Sequence, residues 1–113
     1  MENGYQDRRI FQRFLVNLPL KVLKIFSNVE FHCKTKDISP CGIGIIINEQ
    51  LKPHTRLEMW LEIPDEHEPL YTQGEVVWSE MIGPNIYAAD IALAKYDLIG
   101  MSRVIRIAHD QTT

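Results

Sequence analysis

Several signatures of enzymes, metal sites and membrane proteins are missing from this 113-residue sequence. Its two cysteines form no Cys-x-x-Cys pair, which excludes a disulfide framework and the usual zinc motifs. The apolar stretch 43–47 is interrupted by Gly44, and nothing approaches the roughly 18 apolar residues of a membrane helix. There is no Gly-x-Ser-x-Gly, Walker loop or His-Glu-x-x-His motif. We therefore expect no enzyme, no metal and no membrane insertion.

The length of the chain indicates the number of domains, and its first residues indicate the cellular compartment. A chain of 113 residues is long enough for one domain with its own core, so we expect a single domain over 1–113. Residues 1–7 are polar and acidic, unlike a secretory signal. Cys33 and Cys41 are then expected to be reduced thiols in the cytoplasm, with Cys33 facing the core.

The charge is unevenly distributed along the chain. The net charge is −3, yet residues 8–36 carry +6, whereas residues 1–7 carry −2 and residues 37–113 carry −7. A positive patch on an acidic body fits a small polyanion better than long DNA or RNA. We therefore expect no long nucleic acid as a partner.

Short runs typical of strands occupy most of the chain, and two of them, 31–36 and 57–63, show the period-two alternation of a half-buried strand. The runs comprise residues 20–26, 31–36, 42–47, 57–63, 71–79 and 86–93. Six strands joined by short turns predict an antiparallel sandwich or a small barrel, with a bulge at Gly74. The tail differs, because Asp97 can cap a helix and Leu98, Met101 and Ile105 follow on one helical stripe.

Two polar motifs carry the recognition chemistry. Residues two apart share one face of a strand, so Asp37 and Ser39 would point the same way as an acceptor and a donor. Gly42 follows where the chain must turn and would let a ligand approach the backbone. Arg9 and Arg13 are four apart and would share one face of a helical turn. A guanidinium clamps phosphate and reads the O6 and N7 acceptors of guanine.

The order of these motifs resembles that of the PilZ domain family, bacterial receptors for cyclic di-GMP. Arg9-Ile-Phe-Gln-Arg13 matches the family's RxxxR pattern, and Asp37-Ile-Ser-Pro-Cys-Gly42 matches its DxSxxG pattern. Gly74-Glu-Val-Val-Trp78 looks like the fifth-strand pattern. The resemblance implies an all-β fold, a six-stranded antiparallel barrel over 19–94. It also implies a flexible ligand-binding segment over 1–14 and a C-terminal helix over 97–109.

The resemblance also implies roles for particular residues. Arg9 and Arg13 would wrap the phosphates and guanine edges of cyclic di-GMP, and Arg8 would help to bind a second, stacked nucleotide. Asp37 and Ser39 would read a guanine, with Gly42 giving room. No other cofactor is implied. The expected function is an adaptor that orders its N-terminal segment on binding and signals to an unidentified effector protein.

Two alternatives remain open at this stage. A degenerate PilZ-like adaptor would bind a protein partner without nucleotide, although both motifs are intact. A small barrel that binds RNA or oligonucleotides would share the basic segment and would need aromatic residues on a strand face. Trp60 and Trp78 are the candidates for that stacking surface.

Overall fold

The computed structural model of the protein describes residues 12–95, 100 and 102–107. The described strands are β1 (Phe14–Leu15), β2 (Pro19–Lys24), β3 (Glu30–Ser39), β4 (Gly42–Ile47), β5 (Arg56–Leu61), β6 (Leu70–Gly83) and β7 (Ile86–Leu93). Residues 100 and 102–107 are helical, and we label 102–107 as α1. The predicted C-terminal helix is confirmed there, whereas its predicted ends lie outside the described residues.

Six of the strands close into a barrel. Every pairing is antiparallel, and the order around the barrel is β3, β2, β5, β6, β7 and β4, with β4 returning to β3. Closure pairs the strand edges that an open sheet would leave free. The two-residue β1 pairs with the far end of β3. The all-β, six-stranded prediction is confirmed, and the barrel replaces the sandwich alternative.

The core follows from alternation, because every second side chain of a strand points into the barrel. The largest fully buried side chains are Leu20, Val22, Ile38, Ile43, Ile45, Leu51, Leu57, Met59, Leu61, Val76 and Ile91. Val104 of α1 is also fully buried, so the helix packs against the barrel. Cys33 packs against this core as expected. Among the described residues, no helix is long and apolar enough to cross a membrane.

The end of β3 and the position of a bulge in β6 differ from the sequence prediction for reasons of packing. β3 does not end near residue 36 but runs to Ser39, because a bulge between Thr35 and Asp37 resets the register and returns Ile38 to the core. The bulge predicted at Gly74 is wrong. Gly74 lies in regular pairing with Leu57 and Leu93, and the β6 irregularities fall between Val76 and Trp78 and between Met81 and Gly83.

Candidate functional site

One row of residues crosses the outer face of four neighbouring strands. Asp37 of β3 pairs with Gly44 of β4, Gly44 pairs with Asp90 of β7, and Asp90 pairs with Trp78 of β6. Residues paired across strands project on the same face of a sheet. The ladder therefore brings two carboxylates and an indole together around a glycine, although they are far apart in sequence.

A cleft of about 200 Å³ opens above this row. It is lined by Arg13, Lys36, Asp37, Gly44, Trp78, Ala89 and Asp90. The volume is below the roughly 300–1,000 Å³ of typical ligand pockets, so the cleft suits part of a ligand, such as one base. A larger cleft of about 520 Å³ contains none of the predicted site residues.

Arg13 reaches the cleft because β1 places it there. Phe14 and Leu15 pair with Ile38 and Asp37, which brings the preceding arginine beside the β3 carboxylate. Phe14 packs against the core as a fastening group. Gln12 and Arg13 are not helical, and the helical turn considered for the whole arginine motif stays a prediction. Arg8 and Arg9 lie outside the described residues.

A buried threonine fixes the segment that follows β1. The Thr35 hydroxyl donates to the Val16 carbonyl at 2.6 Å and accepts from the Leu18 amide at 2.9 Å. Thr35 is fully buried, and a buried hydroxyl needs such partners. These two bonds tie the chain after Arg13 to the middle of β3.

The Arg13 guanidinium is shared between two carboxylates. Its Nη1 lies 2.6 Å from Asp37 Oδ1 and 3.1 Å from Asp90 Oδ1. Partial burial alone would lower the pKa of Arg13, but the hydrogen bonds and charges of Asp37 and Asp90 outweigh it and raise the pKa above its ordinary value. The two carboxylates therefore favour the charged form of Arg13 and hold it in the cleft.

Two glycines make room for this ion pair. A Cβ at Gly44 would lie 2.6 Å from Asp37 Oδ1, and a Cβ at Gly42 would lie 2.9 Å from Arg13 Nη2. No glycine among the described residues has a positive φ, so space rather than turn geometry requires them here. Gly42 was expected to let a ligand approach the backbone, but in this structure the Arg13 guanidinium occupies that space.

Ser39 shares the outer face with Asp37 but is turned toward the backbone. Its hydroxyl accepts from the Gly42 amide at 3.1 Å and the Cys41 amide at 3.3 Å. The residue is 1% exposed and does not line the cleft. Ser39 therefore stabilises the β3–β4 turn, as serine commonly does through its side-chain oxygen.

Three further residues line the cleft: sequence reasoning gave Lys36 and Asp90 no ligand role, and gave Trp78 one only in the oligonucleotide alternative. Asp90 and Trp78 come from the last two strands, and only the barrel register places them opposite Gly44. Lys36 lies in the β3 bulge directly before Asp37. Its adjacency to the motif was the signal that could have identified it. Lys36 and Arg13 balance the charges of the two carboxylates.

Other reactive groups do not form a second site in the described part of the chain. There, no group of three or more His, Cys, Asp or Glu side chains could hold a metal. Burial raises the pKa of the Cys33 thiol to about 12, so this cysteine is unreactive at neutral pH.

Fold and cleft together define a small β-barrel with an arginine–carboxylate site on its outer wall. A family model for the PilZ domain matches residues 7–90, and the chain belongs to that family. Among curated protein sequences, no relative matches this chain.

Solved structures resemble the fold at low sequence identity. The PilZ domain of YcgR from Escherichia coli, solved with cyclic di-GMP, aligns with a TM-score of 0.71 and 12% identity over 93% of this chain and 94% of that one. The PilZ domain of CeSA from a cellulose-synthesizing bacterium aligns with a TM-score of 0.61 and 15% identity, over 90% and 99%. Bacillus subtilis MotI/DgrA, an inhibitor of motility, aligns with a TM-score of 0.68 and 11% identity over 90% of this chain. The alignment spans only 50% of MotI/DgrA.

Proposed function

We propose that this protein is a cytoplasmic receptor for cyclic di-GMP, rather than an enzyme, and that it passes the signal to a partner protein. The observation that carries the proposal is the contact between Arg13 and Asp37 above Gly42 and Gly44, which we call the glycine floor. It unites the two motifs, 24 residues apart, in one cleft. Cyclic di-GMP-bound PilZ domains such as that of YcgR support the same assignment.

The cleft offers complementary groups for a guanine base. A carboxylate accepts from the guanine N1–H and amino group, which suits Asp37. An arginine donates to O6 and N7 or to phosphate, which suits Arg13. Trp78 is 39% exposed at the edge of the cleft, where its ring can stack on a base. In this proposal Ser39 and Gly42 act by shaping the β3–β4 turn beneath the base.

The charge of the cleft supports a role for the N-terminal segment in ligand binding. The cleft lining carries two cations, Arg13 and Lys36, and two carboxylates, so it does not by itself attract a dianion. Arg8 and Arg9 would add two positive charges at the entrance. We therefore assign phosphate binding chiefly to these arginines, with Arg8 available for a second, stacked nucleotide.

The signal, in this proposal, is the ordering of the N-terminal segment. In the proposed division of one domain, residues 1–14 would be the ligand-binding segment, 19–94 the barrel and 97–109 the C-terminal helix. Bound nucleotide bridges the arginines to the barrel and creates a new surface for the effector. Amide hydrogen exchange tests this: protection should rise at residues 8–14 on adding ligand and stay flat at 57–63. Equal protection of 8–14 with and without ligand would contradict the ordering step.

Calorimetric titration of the whole chain tests the function itself. Cyclic di-GMP should bind, and cyclic di-AMP should bind far more weakly because adenine reverses the donor and acceptor pattern that Asp37 reads. Absence of cyclic di-GMP binding would favour an adaptor that binds only protein. Preferential binding of a short single strand would favour the oligonucleotide alternative. Against that alternative, Trp60 is covered by Lys21 Nζ at 4.4 Å from its ring centroid and does not share a surface with Trp78.

A further inference from the structure

Asp90 is a carboxylate buried in the middle of the cleft floor. Its strand, β7, is paired on both sides, so Asp90 is held between Gly44 of β4 and Trp78 of β6. The residue is 6% exposed. A charge buried to this degree is costly unless it is paired, and Arg13 Nη1 lies 3.1 Å from its Oδ1.

Asp37 and Asp90 hold the same nitrogen of Arg13 but differ in their supports. Asp37 follows a bulge, and its side chain is 14% exposed. Asp90 pairs in regular register with Gly44, and its side chain is 8% exposed. The proposed function requires Asp37 to accept from guanine, so ligand binding competes with its contact with Arg13 at 2.6 Å. The contact with Asp90 need not change.

We propose that Asp90 is a positioning residue for ligand binding, which keeps the Arg13 guanidinium over the glycine floor while Arg13 exchanges Asp37 for the nucleotide. This inference rests on the proposed function, because the exchange has meaning only if a ligand takes Asp37. Asp90 acts through Arg13 and does not itself contact the nucleotide.

Because Asp90 is negatively charged, the proposal predicts that the effect of removing it on ligand affinity depends on whether Arg13 is present. A carboxylate in the cleft repels a dianionic ligand, so by itself it weakens binding. The benefit that we assign to Asp90 is the preorganisation of Arg13, which reduces the cost of ordering that side chain. Removal of the charge should therefore be harmful when Arg13 is present and harmless or favourable when it is absent.

A double-mutant cycle of Asp90 and Arg13, with cyclic di-GMP as the titrant, tests this dependence. Asp90→Asn should weaken binding about tenfold in the wild-type background, as loss of a charged hydrogen bond does. In an Arg13→Ala background, the same change should leave the affinity equal or improve it. The matched control is Glu80→Gln, which removes an exposed negative charge from the same outer face, opposite Ala88. This control should stay within about twofold of wild type, since the residue does not line the cleft.

The contact between Asp90 and Arg13 can also be tested in the free protein, so this test does not require measurable ligand binding. Nitrogen-15 NMR of the Arg13 Nε–Hε group should show restricted guanidinium rotation in the wild type and in Glu80→Gln, and faster rotation in Asp90→Asn. Thermal unfolding of each variant checks that the barrel is intact. Asp90→Ser, which leaves a smaller polar group, is the second variant should Asp90→Asn fail to fold.

The outcomes separate the two proposals. If the wild type does not bind cyclic di-GMP, the proposed function fails, while the rotation measurement still reports whether Asp90 holds Arg13. If the wild type binds but Asp90→Asn weakens binding equally with and without Arg13, the positioning role is wrong and the receptor function stands. Unchanged Arg13 rotation in a folded Asp90 variant would also overturn the positioning role.

Discussion

The barrel has two outer faces of opposite character. On the strands β3, β4 and β7, small residues such as Gly42, Gly44 and Ala88 leave the backbone open beneath a few charged groups. Around β2, β5 and the first half of β6, large side chains cover one another. Trp60 and Tyr71 have ring centroids 5.2 Å apart, and the Tyr71 hydroxyl donates to Glu58 at 2.6 Å.

This difference teaches what makes one barrel wall a recognition surface. The β5 wall also contains aromatic, cationic and carboxylate groups, here an aromatic pair, a lysine and a carboxylate, but their contacts are with one another. On the β4 wall, glycine at two consecutive outward positions removes the side chains that would fill the surface. Absence of side-chain volume, as much as presence of charge, defines the site.

Removal of the central cation on the β4 wall should have the greatest effect on binding. Arg13→Ala should weaken cyclic di-GMP binding by about ten- to a hundredfold, as expected for hydrogen bonds to charged groups. The matched change on the other wall, Lys21→Ala, also removes a cation but should leave affinity unchanged. Calorimetry of both variants measures this. Equal losses would mean that general positive charge, not the cleft, attracts the ligand.

Substitution of two glycines should distinguish a loss of ligand affinity from a loss of stability. Gly44→Ala should weaken binding about tenfold, because its Cβ would lie 2.6 Å from Asp37 Oδ1 and displace that carboxylate. Gly74→Ala, which places a Cβ 2.6 Å from the Ala92 carbonyl, should instead lower the free energy of unfolding by about 1–3 kcal/mol. Urea unfolding and calorimetry on both variants read the two effects. Loss of stability in Gly44→Ala without loss of affinity would contradict the prediction.

The two tryptophans should report ligand differently. Trp78 lines the cleft, whereas Trp60 is packed between Lys21 and Tyr71 on the other wall. Intrinsic fluorescence should change on adding cyclic di-GMP, and the change should persist in Trp60→Phe but disappear in Trp78→Phe. A signal that follows Trp60 would place the ligand on the β5 wall.

A small effect on stability is expected from the ion pair between α1 and the loop after β5. Arg103 Nε donates to Asp65 Oδ2 at 2.6 Å and its Nη2 donates to Oδ1 at 2.8 Å, and this pair holds the pKa of Asp65 well below its ordinary value. A lowered carboxyl pKa stabilises the fold above the unfolded value of about 3.9, and that stability is lost progressively as pH falls below it. Asp65→Asn should therefore lower Tm slightly at pH 7, with unchanged ligand affinity.

The pH dependence provides the control for that pair. The difference in Tm between wild type and Asp65→Asn should be constant above about pH 5 and should narrow as the solution is acidified below about pH 4. A difference that is the same at every pH would assign the effect to packing rather than charge.

Local pattern determined much of this protein. Alternation along residues 57–61 indicated a strand with one buried face, because burial of every second side chain is a property of the strand itself. Arg9, Arg13, Asp37 and Gly42 could be selected from motif order alone. The PilZ fold followed from that resemblance, and the barrel confirms it.

Tertiary structure decided which of these residues meet and what surrounds them. The pairing of β1 with β3 joins Arg13 to Asp37, and closure of β4 onto β7 brings Asp90 to the same nitrogen. No local pattern encodes such contacts, because they depend on the register between strands, and one residue of slip would turn each side chain to the other face. The bulge at Lys36 and the packing of Gly74 against β7 likewise arise from neighbouring strands. The sequence determined the strands and the motif residues, and the closed ladder alone determined that they form one cleft.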